Sequence, residues 1–266
     1  MDDRFFHKIY VVWAMITMQL LWAGCTTDED RRIEDTLVFA GDNRVELERV
    51  LNYYKDRGDT LKWKAARFLI ANMKDKFAYN VPELDSIRQA MVNVKTKNAI
   101  ENRWKSFPYR SLPKVYDARV ITADYLIENI ELAFESWRRY EWGKYYSFDD
   151  FCEYLLPYRI GDEPLERWRG EYRDYFVPLL DSLYKGTDVI EAASAVQHYA
   201  ERAGYKYNGD FNMPHHGALS LRKCWMGTCR EYCDYIMYMF RTLGIPVTRD
   251  RYKFVSYTHL TLPTIL

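Results

Sequence analysis

A mainly α-helical chain that gains a small α+β region toward its C-terminal end is the fold class this sequence predicts, on three observations. Apolar residues recur at helical spacing from Gly41 to about Trp142. Start and stop residues punctuate those runs. Strand-like character appears only after Gly244, in "IPVTRDRYKFV". At 266 residues and 48% hydrophobic content, the chain can bury a sizeable core. Thirty-eight basic residues balance 38 acidic ones, so global charge draws the protein to neither nucleic acid nor an acidic surface. The 23 tyrosines and 8 tryptophans combine apolar bodies with polar handles, which suits packing and, in a minority, a groove for peptide or glycan. The sequence shows no internal repeat or low-complexity tract, which excludes a solenoid.

Residues 1–24 read as an export signal. Arg4 and Lys8 flank a short n-region that also carries Asp2 and Asp3, and an uncharged, mostly apolar run follows from Ile9 to Gly24. A membrane-spanning helix needs about 20 apolar residues, more than this run provides. The run ends in "LWAGC", which resembles a bacterial lipobox, and that resemblance implies that Cys25 is lipidated and anchors the chain to a membrane. The following "TTDEDRRIED" places residues 25–40 as a solvated acidic tether. It resembles the surface-export signals of Bacteroidetes lipoproteins, which implies an outer-membrane lipoprotein that can face the cell surface.

From residue 41 to 186 the expectation is an α-helical N-terminal region. "DNRVELERVLNYYKDRG" offers Asn43 as N-cap, Glu46 three residues on, an apolar face of Val45, Leu47, Val50 and Leu51, and a stop at Gly58. A second helix starts at Thr60, with Leu61, Ala65, Phe68, Leu69 and Met73 on one face. A third spans Pro82 to Met91, and a fourth carries Leu126, Ile130, Ala133, Phe134 and Trp137 as its stripe. Ser147 and Asp150 form a capping box, Pro157 breaks the segment, and Pro164 takes a first-turn position. A helix from Thr187 or Asp188 ends on Gly204, and the irregular "YKYNGDFNMPHHGALS" follows.

Chemistry concentrates in "KCWMGTCREYCDYIMYMFRTLGIP". From Cys229 to Leu243, residues Tyr232, Cys233, Ile236, Met237, Phe240 and Leu243 recur on one helical face. Cys229 falls in the first turn, where the positive end of the helix dipole and unpaired N–H groups favour thiolate. Gly227 allows a tight entry and close approach of a substrate. Cys233 lies one turn deeper and should be buried. A disulfide between them is poor, because Cβ atoms four apart on a helix are about 5–6 Å apart and a disulfide needs about 3.5–4.5 Å. A zinc site from Cys224, Cys229, Cys233 and His215 or His216 lacks C-x-x-C spacing. The plainest alternative is three packed core cysteines. Neither a metal nor another cofactor is expected.

The run from Gly227 to Pro246 resembles the nucleophile helix of the transglutaminase-like superfamily. Gly227, Cys229, Tyr232, Arg241, Leu243, Gly244, Ile245 and Pro246 fall in register with it. "AGDNRVELERVL", "AARFLIANM", "FCEYLLPYRIGDEPLERWR" and "GALSL" resemble the helical part of Bacteroidetes lipoproteins that carry such a domain. The resemblance implies a papain-like α+β domain beginning in 187–255, with the cysteine-bearing helix packed on an antiparallel sheet. It implies Cys229 as catalytic nucleophile, with a downstream histidine moving protons and an aspartate orienting it. Crosslinking, peptide hydrolysis and amide hydrolysis are all found in that superfamily, and the implied partner is a peptide or protein substrate.

His259 is the one histidine after Cys229, and no carboxylate follows Asp250, so the family's order of residues is not completed here. The closing "VSYTHLTLPTIL" resembles translated sequencing-adaptor read-through, which makes 256–266 a non-native tail and the domain C-terminally truncated. The alternative is a natural β-strand with a turn at Pro263. His215 and His216 read as solvated loop histidines and His198 as a surface one, while Cys224 and Trp225 can line the cleft of Cys229. The rival to an enzyme is a non-catalytic surface lipoprotein that binds glycan or peptide through an aromatic groove. A structural protein whose Cys229 is simply core is a third reading.

Overall fold

The computed structural model describes residues 27–79, 82, 84, 86, 87, 89, 108–207, 213–251 and 258–261. The export signal and Cys25 lie outside the described residues, as does Met91. Helix accounts for 68% of the described residues and strands are short, so the chain is predominantly α as expected.

Residues 28–40, expected as a solvated tether, form helix α1 (Asp28–Ala40). Thr27 caps it in a reciprocal box with Asp30, and three acids occupy the first turn, where the helix dipole favours them. Ile33, Leu37 and Ala40 are buried farther along the helix. The high charge density misled because the acids leave Ile33, Leu37 and Ala40 a continuous buried stripe, and Arg67 binds Glu29 at 2.8 Å and Asp30 at 2.5 Å.

Helices α2 (Arg44–Asp56), α3 (Thr60–Ala71) and α4 (Ala123–Arg139) pack with α1 into a first core. Asn43 stands at the expected cap of α2 without capping it. Its amide donates instead to the carbonyls of Ala118 and Ile121, and Glu46 accepts from the Ala123 backbone at 2.7 Å. The two expected capping residues thus tie α2 to the start of α4. Val45 and Leu61 are exposed, while Tyr54 and Ile70 fill the core in their place. The stripe of α4 is buried as the spacing predicts, through Leu126, Ile130, Ala133 and Phe134. Strands β1 (Phe77–Tyr79) and β2 (Lys114–Tyr116) pair antiparallel, with Ala78 opposite Val115. The described positions between 82 and 89 are helical.

The Ser147–Asp150 capping box is present and opens one turn that runs into a π-helical segment, Phe151–Leu155. Pro164 does not start a helix; α5 (Trp168–Leu183) begins four residues later. The reason is polar. Glu163 folds back to accept from the backbone of Ile160 at 2.5 Å and Gly161 at 2.7 Å, which fixes a compact loop.

A second core joins α5, α6 (Val189–Arg202), α7 (Ala218–Cys224) and α8 (Cys229–Thr242). Trp168, Tyr172 and Phe176 of α5 pack in it with Tyr235 and Tyr238 of α8. Trp142 and Tyr146 already belong to this core, whereas Phe151, Leu155 and Tyr158 belong to the first, and the core runs on either side of the boundary expected at 186/187. Strands β3 (Lys206–Tyr207) and β4 (Met226–Gly227) pair parallel, and β5 (Thr248–Arg251) and β6 (Thr258–Thr261) antiparallel. Strand β6 lies in the stretch expected as a tail and packs against α8.

The cores are stitched by charge. Arg159 grips the Asp117 carboxylate through two bonds, 2.7 and 2.6 Å, with side chains 3% and 0% exposed. Tyr158 donates to the same carboxylate at 2.9 Å. Removing one member of a buried pair strands the other, which costs about 3–5 kcal/mol. Arg159→Met is expected to lower unfolding stability by about that amount in a urea titration, whereas a loss under about 1 kcal/mol would mean that the pair does not hold the seam.

Candidate functional site at the start of helix α8

The approach to Cys229 is built from backbone shapes that few residues adopt. α7 ends at Trp225, a non-glycine residue in the left-handed region at φ 49°. Two residues of β4 follow, and Gly227 turns the chain at φ 153°. A Cβ there would stand 2.6 Å from Cβ of Glu231 and 2.9 Å from the Tyr205 hydroxyl, so only glycine fits. Tyr205 uses that closeness to donate to the Thr228 carbonyl at 2.7 Å.

Thr228 is the N-cap of α8, and Cys229 is its first residue. The Thr228 hydroxyl accepts from the Arg230 amide, and Glu231 reaches back to the Thr228 amide at 2.9 Å. Glu231 is fully buried and ion-paired with Arg230. This is the T-x-x-E capping signature, readable in "TCRE" but outweighed there by the cysteine. Cys229 is half-buried at this fixed turn. Cys233 is buried at 4% exposure, as its deeper place on the helix predicts.

The expected single apolar face of α8 is an understatement. Every residue from Cys233 to Thr242 is buried, polar ones included. The described cysteines Cys152, Cys224, Cys229 and Cys233 form no disulfide. Burial pushes the thiols of Cys152 and Cys233 up to about 12 and that of Cys224 up to about 11. Those three stay protonated near neutral pH. No group of three or more potential metal ligands occurs among the described residues.

The histidines ahead of the cysteine are not solvated. His216 is 1% exposed. His215 Nδ1 lies 2.6 Å from Oδ2 of Asp234, a residue of α8 that is 1% exposed and also receives Arg249 of β5 at 2.9 Å. Its backbone amide donates to Asp162 at 2.8 Å. The loop is drawn in because Arg230, next to the cysteine, donates to the Met213 carbonyl at 2.7 Å. A loop histidine 19 residues before its partner leaves no periodic signal, so the sequence reading missed both His215 and Asp234 as a pair. His198 sits exposed on α6, bonded to Ser194 of its own helix, as expected of a surface histidine. His259 of β6 stands opposite Asp250 of β5 in register.

No family model, curated protein or solved structure matches the chain. The roles of the residues at this site accordingly rest on their own chemistry.

Burial opposes a charged imidazole at position 215, but the charge and hydrogen bond of Asp234 outweigh it and hold the pKa above the ordinary histidine value of 6.5. A raised folded pKa favours the protonated form. His215 therefore contributes its full stabilisation below pH 6.5 and loses it as pH rises through the raised value. Thermal melts from pH 5 to 9 are expected to show a decline on the alkaline side of 6.5 that His215→Gln flattens. An unchanged decline in that variant would assign it to another group.

Proposed function

We propose that this chain carries a transglutaminase-like centre for thiol-dependent acyl transfer or amide hydrolysis, with Cys229 as nucleophile and a peptide or protein as substrate. The observation that carries the reading is the placement of a half-buried thiol at the first residue of a helix that is buried from Cys233 to Thr242. There it meets the positive helix end and backbone N–H groups that suit a thiolate and, later, an oxyanion. Further support comes from the antiparallel β5–β6 pair beside α8, the arrangement expected of a papain-like domain. In this reading the protein is an outer-membrane lipoprotein anchored through Cys25.

Site-resolved alkylation tests it. Cys229 is expected to react with iodoacetamide at pH 6 to 7 at least about tenfold faster than free cysteine, while Cys152, Cys224 and Cys233 stay slow. Cys229→Ser is expected to abolish stoichiometric acylation by an activated ester, and Cys233→Ala to leave it intact. Equal loss in both variants would point to folding and end the nucleophile assignment.

A second reading, glycan or peptide binding without catalysis, draws on one specific observation. A cleft of about 760 Å³ between α1, α3 and the 148–154 segment is lined by Trp63, Phe68 and Phe148. Aromatic faces of this kind stack on sugar rings or apolar side chains. Oligosaccharide or peptide binding there would quench Trp63 fluorescence, and Trp63→Ala would remove the response. A flat titration across a broad ligand panel would leave the cleft without a binding role.

A further inference from the structure

We infer that the cleft between α1, α3 and the 148–154 segment takes a cationic peptide, one that presents lysine or arginine side chains. The inference rests on the second reading above, in which this cleft binds a ligand, and it selects among the ligands that reading allows. The cleft is lined by five carboxylates, Glu29, Asp30, Asp149, Asp150 and Glu153, against the two cations Lys64 and Arg67. The chain as a whole is neutral, so the imbalance belongs to the cleft. A neighbouring pocket shares Phe68 and Glu153 with it but has the opposite balance, with Arg32, Lys76 and Arg159 against Glu153. An acidic ligand therefore meets repulsion in the cleft, and a neutral sugar gains nothing from its charge.

The carboxylates differ in how far they are committed. Glu29 and Asp30 bind Arg67, and Asp150 accepts from the Ser147 hydroxyl at 2.6 Å in its cap. Asp149 and Glu153 are exposed, and their carboxylates form no ion pair among the described residues. The chemistry that holds a cation is already in use on one side of the cleft. There the Arg67 guanidinium lies 4.8 Å from the centre of the Trp63 ring while it bonds Glu29 and Asp30. An aromatic ring combined with carboxylates is a favourable setting for guanidinium and ammonium groups. The 148–154 segment supplies the same residue types on the other side, Phe148 with Asp149 and Glu153.

Cys152 reports the sign of the field. It lines the cleft, and burial first, then the charges of Asp149, Glu29 and Glu153, push its thiol up to about 12. A field that resists a thiolate attracts a cation. Lys64 is exposed and opposes this attraction, but it is one charge against several. At about 760 Å³ the cleft matches sites that enclose a drug-sized ligand, so it admits a short peptide segment rather than a folded domain. Apolar stems of lysine and arginine can lie along Phe68 and Phe148 while their charged heads reach the carboxylates.

The experiment is calorimetric titration of the whole chain with three probes: a blocked glycine peptide carrying two arginines, the same peptide with glutamates in their place, and maltohexaose. The arginine peptide is expected to bind, and more weakly as salt rises from about 50 to about 500 mM. The other two probes are expected to give no binding. Asp149→Asn combined with Glu153→Gln should weaken the arginine peptide about three- to tenfold. Its melting temperature should stay unchanged, since neither carboxylate is paired inside the fold. Lys64→Glu, with the opposite sign, should tighten binding about threefold, and it decides the matter should the double variant fail to fold. Equal binding of the glutamate peptide or maltohexaose, or an affinity that these variants leave unmoved, overturns the cationic assignment while the cleft remains a binding site. No binding by any of the three probes rejects the inference, and a flat response across the broader ligand panel removes the binding role of the cleft itself.

Discussion

The carbonyl groups of residues 154–159 have no continuing helix to bond to, and their capture by side chains holds the two cores together. Arg241 of α8 takes the carbonyls of Tyr154, Pro157 and Arg159. Arg169 of α5 takes those of Leu155, Leu156 and Pro157, and Trp168 takes that of Tyr158. Asn129 of α4 adds a bond to Leu156 at 3.0 Å. The end of a helical segment is also the negative end of its dipole, so guanidinium groups are the donors best suited to it. Burial pulls the pKa of both arginines down, and their mutual repulsion adds to this for Arg169. The arrangement persists because the carbonyls of residues 154–159, left unbonded together, would cost more.

With that seam fixed, α8 becomes the central element of the second half. Its neighbours α5, α6, α7 and β6 enclose it, and its tyrosines meet aromatic rings edge to face. Such a helix is enclosed on every side from Cys233 to Thr242, its buried polar groups Asp234, Arg241 and Thr242 each satisfied by a partner. It cannot shift without disturbing the Arg241 bonds and the Asp234 bonds together. Rigidity at its start follows from the same contacts.

Elements whose signals are local were legible. The Ser147–Asp150 box and the Asp188 cap of α6 form as the residue spacing predicts, because both partners lie within four positions. α1 was misread because composition was weighed over periodicity; Ile33, Leu37 and Ala40 carry a helical face through the acids. Asn43 and Glu46 have the spacing of a box but serve another helix, a tertiary choice that no local pattern encodes. The position of Cys229 on its helix was readable from spacing. The bond between His215 and Asp234 was not, since it depends on how a loop folds over a helix.

The polar groups of α8 are spent on its cap and on contacts inside the fold. Glu231 is used by the cap and Arg230, Asp234 by His215 and Arg249, Arg241 by three carbonyls, and Thr242 by the Tyr238 carbonyl at 2.8 Å. Deeper residues are enclosed. At the first turn Thr228, Cys229 and Arg230 are half-buried, and of these Thr228 caps the helix while Arg230 anchors the loop. Cys229 stands between them, at a turn held by its neighbours. Rigidity of that kind is what positioned chemistry requires, since reacting atoms must be held within a fraction of an ångström.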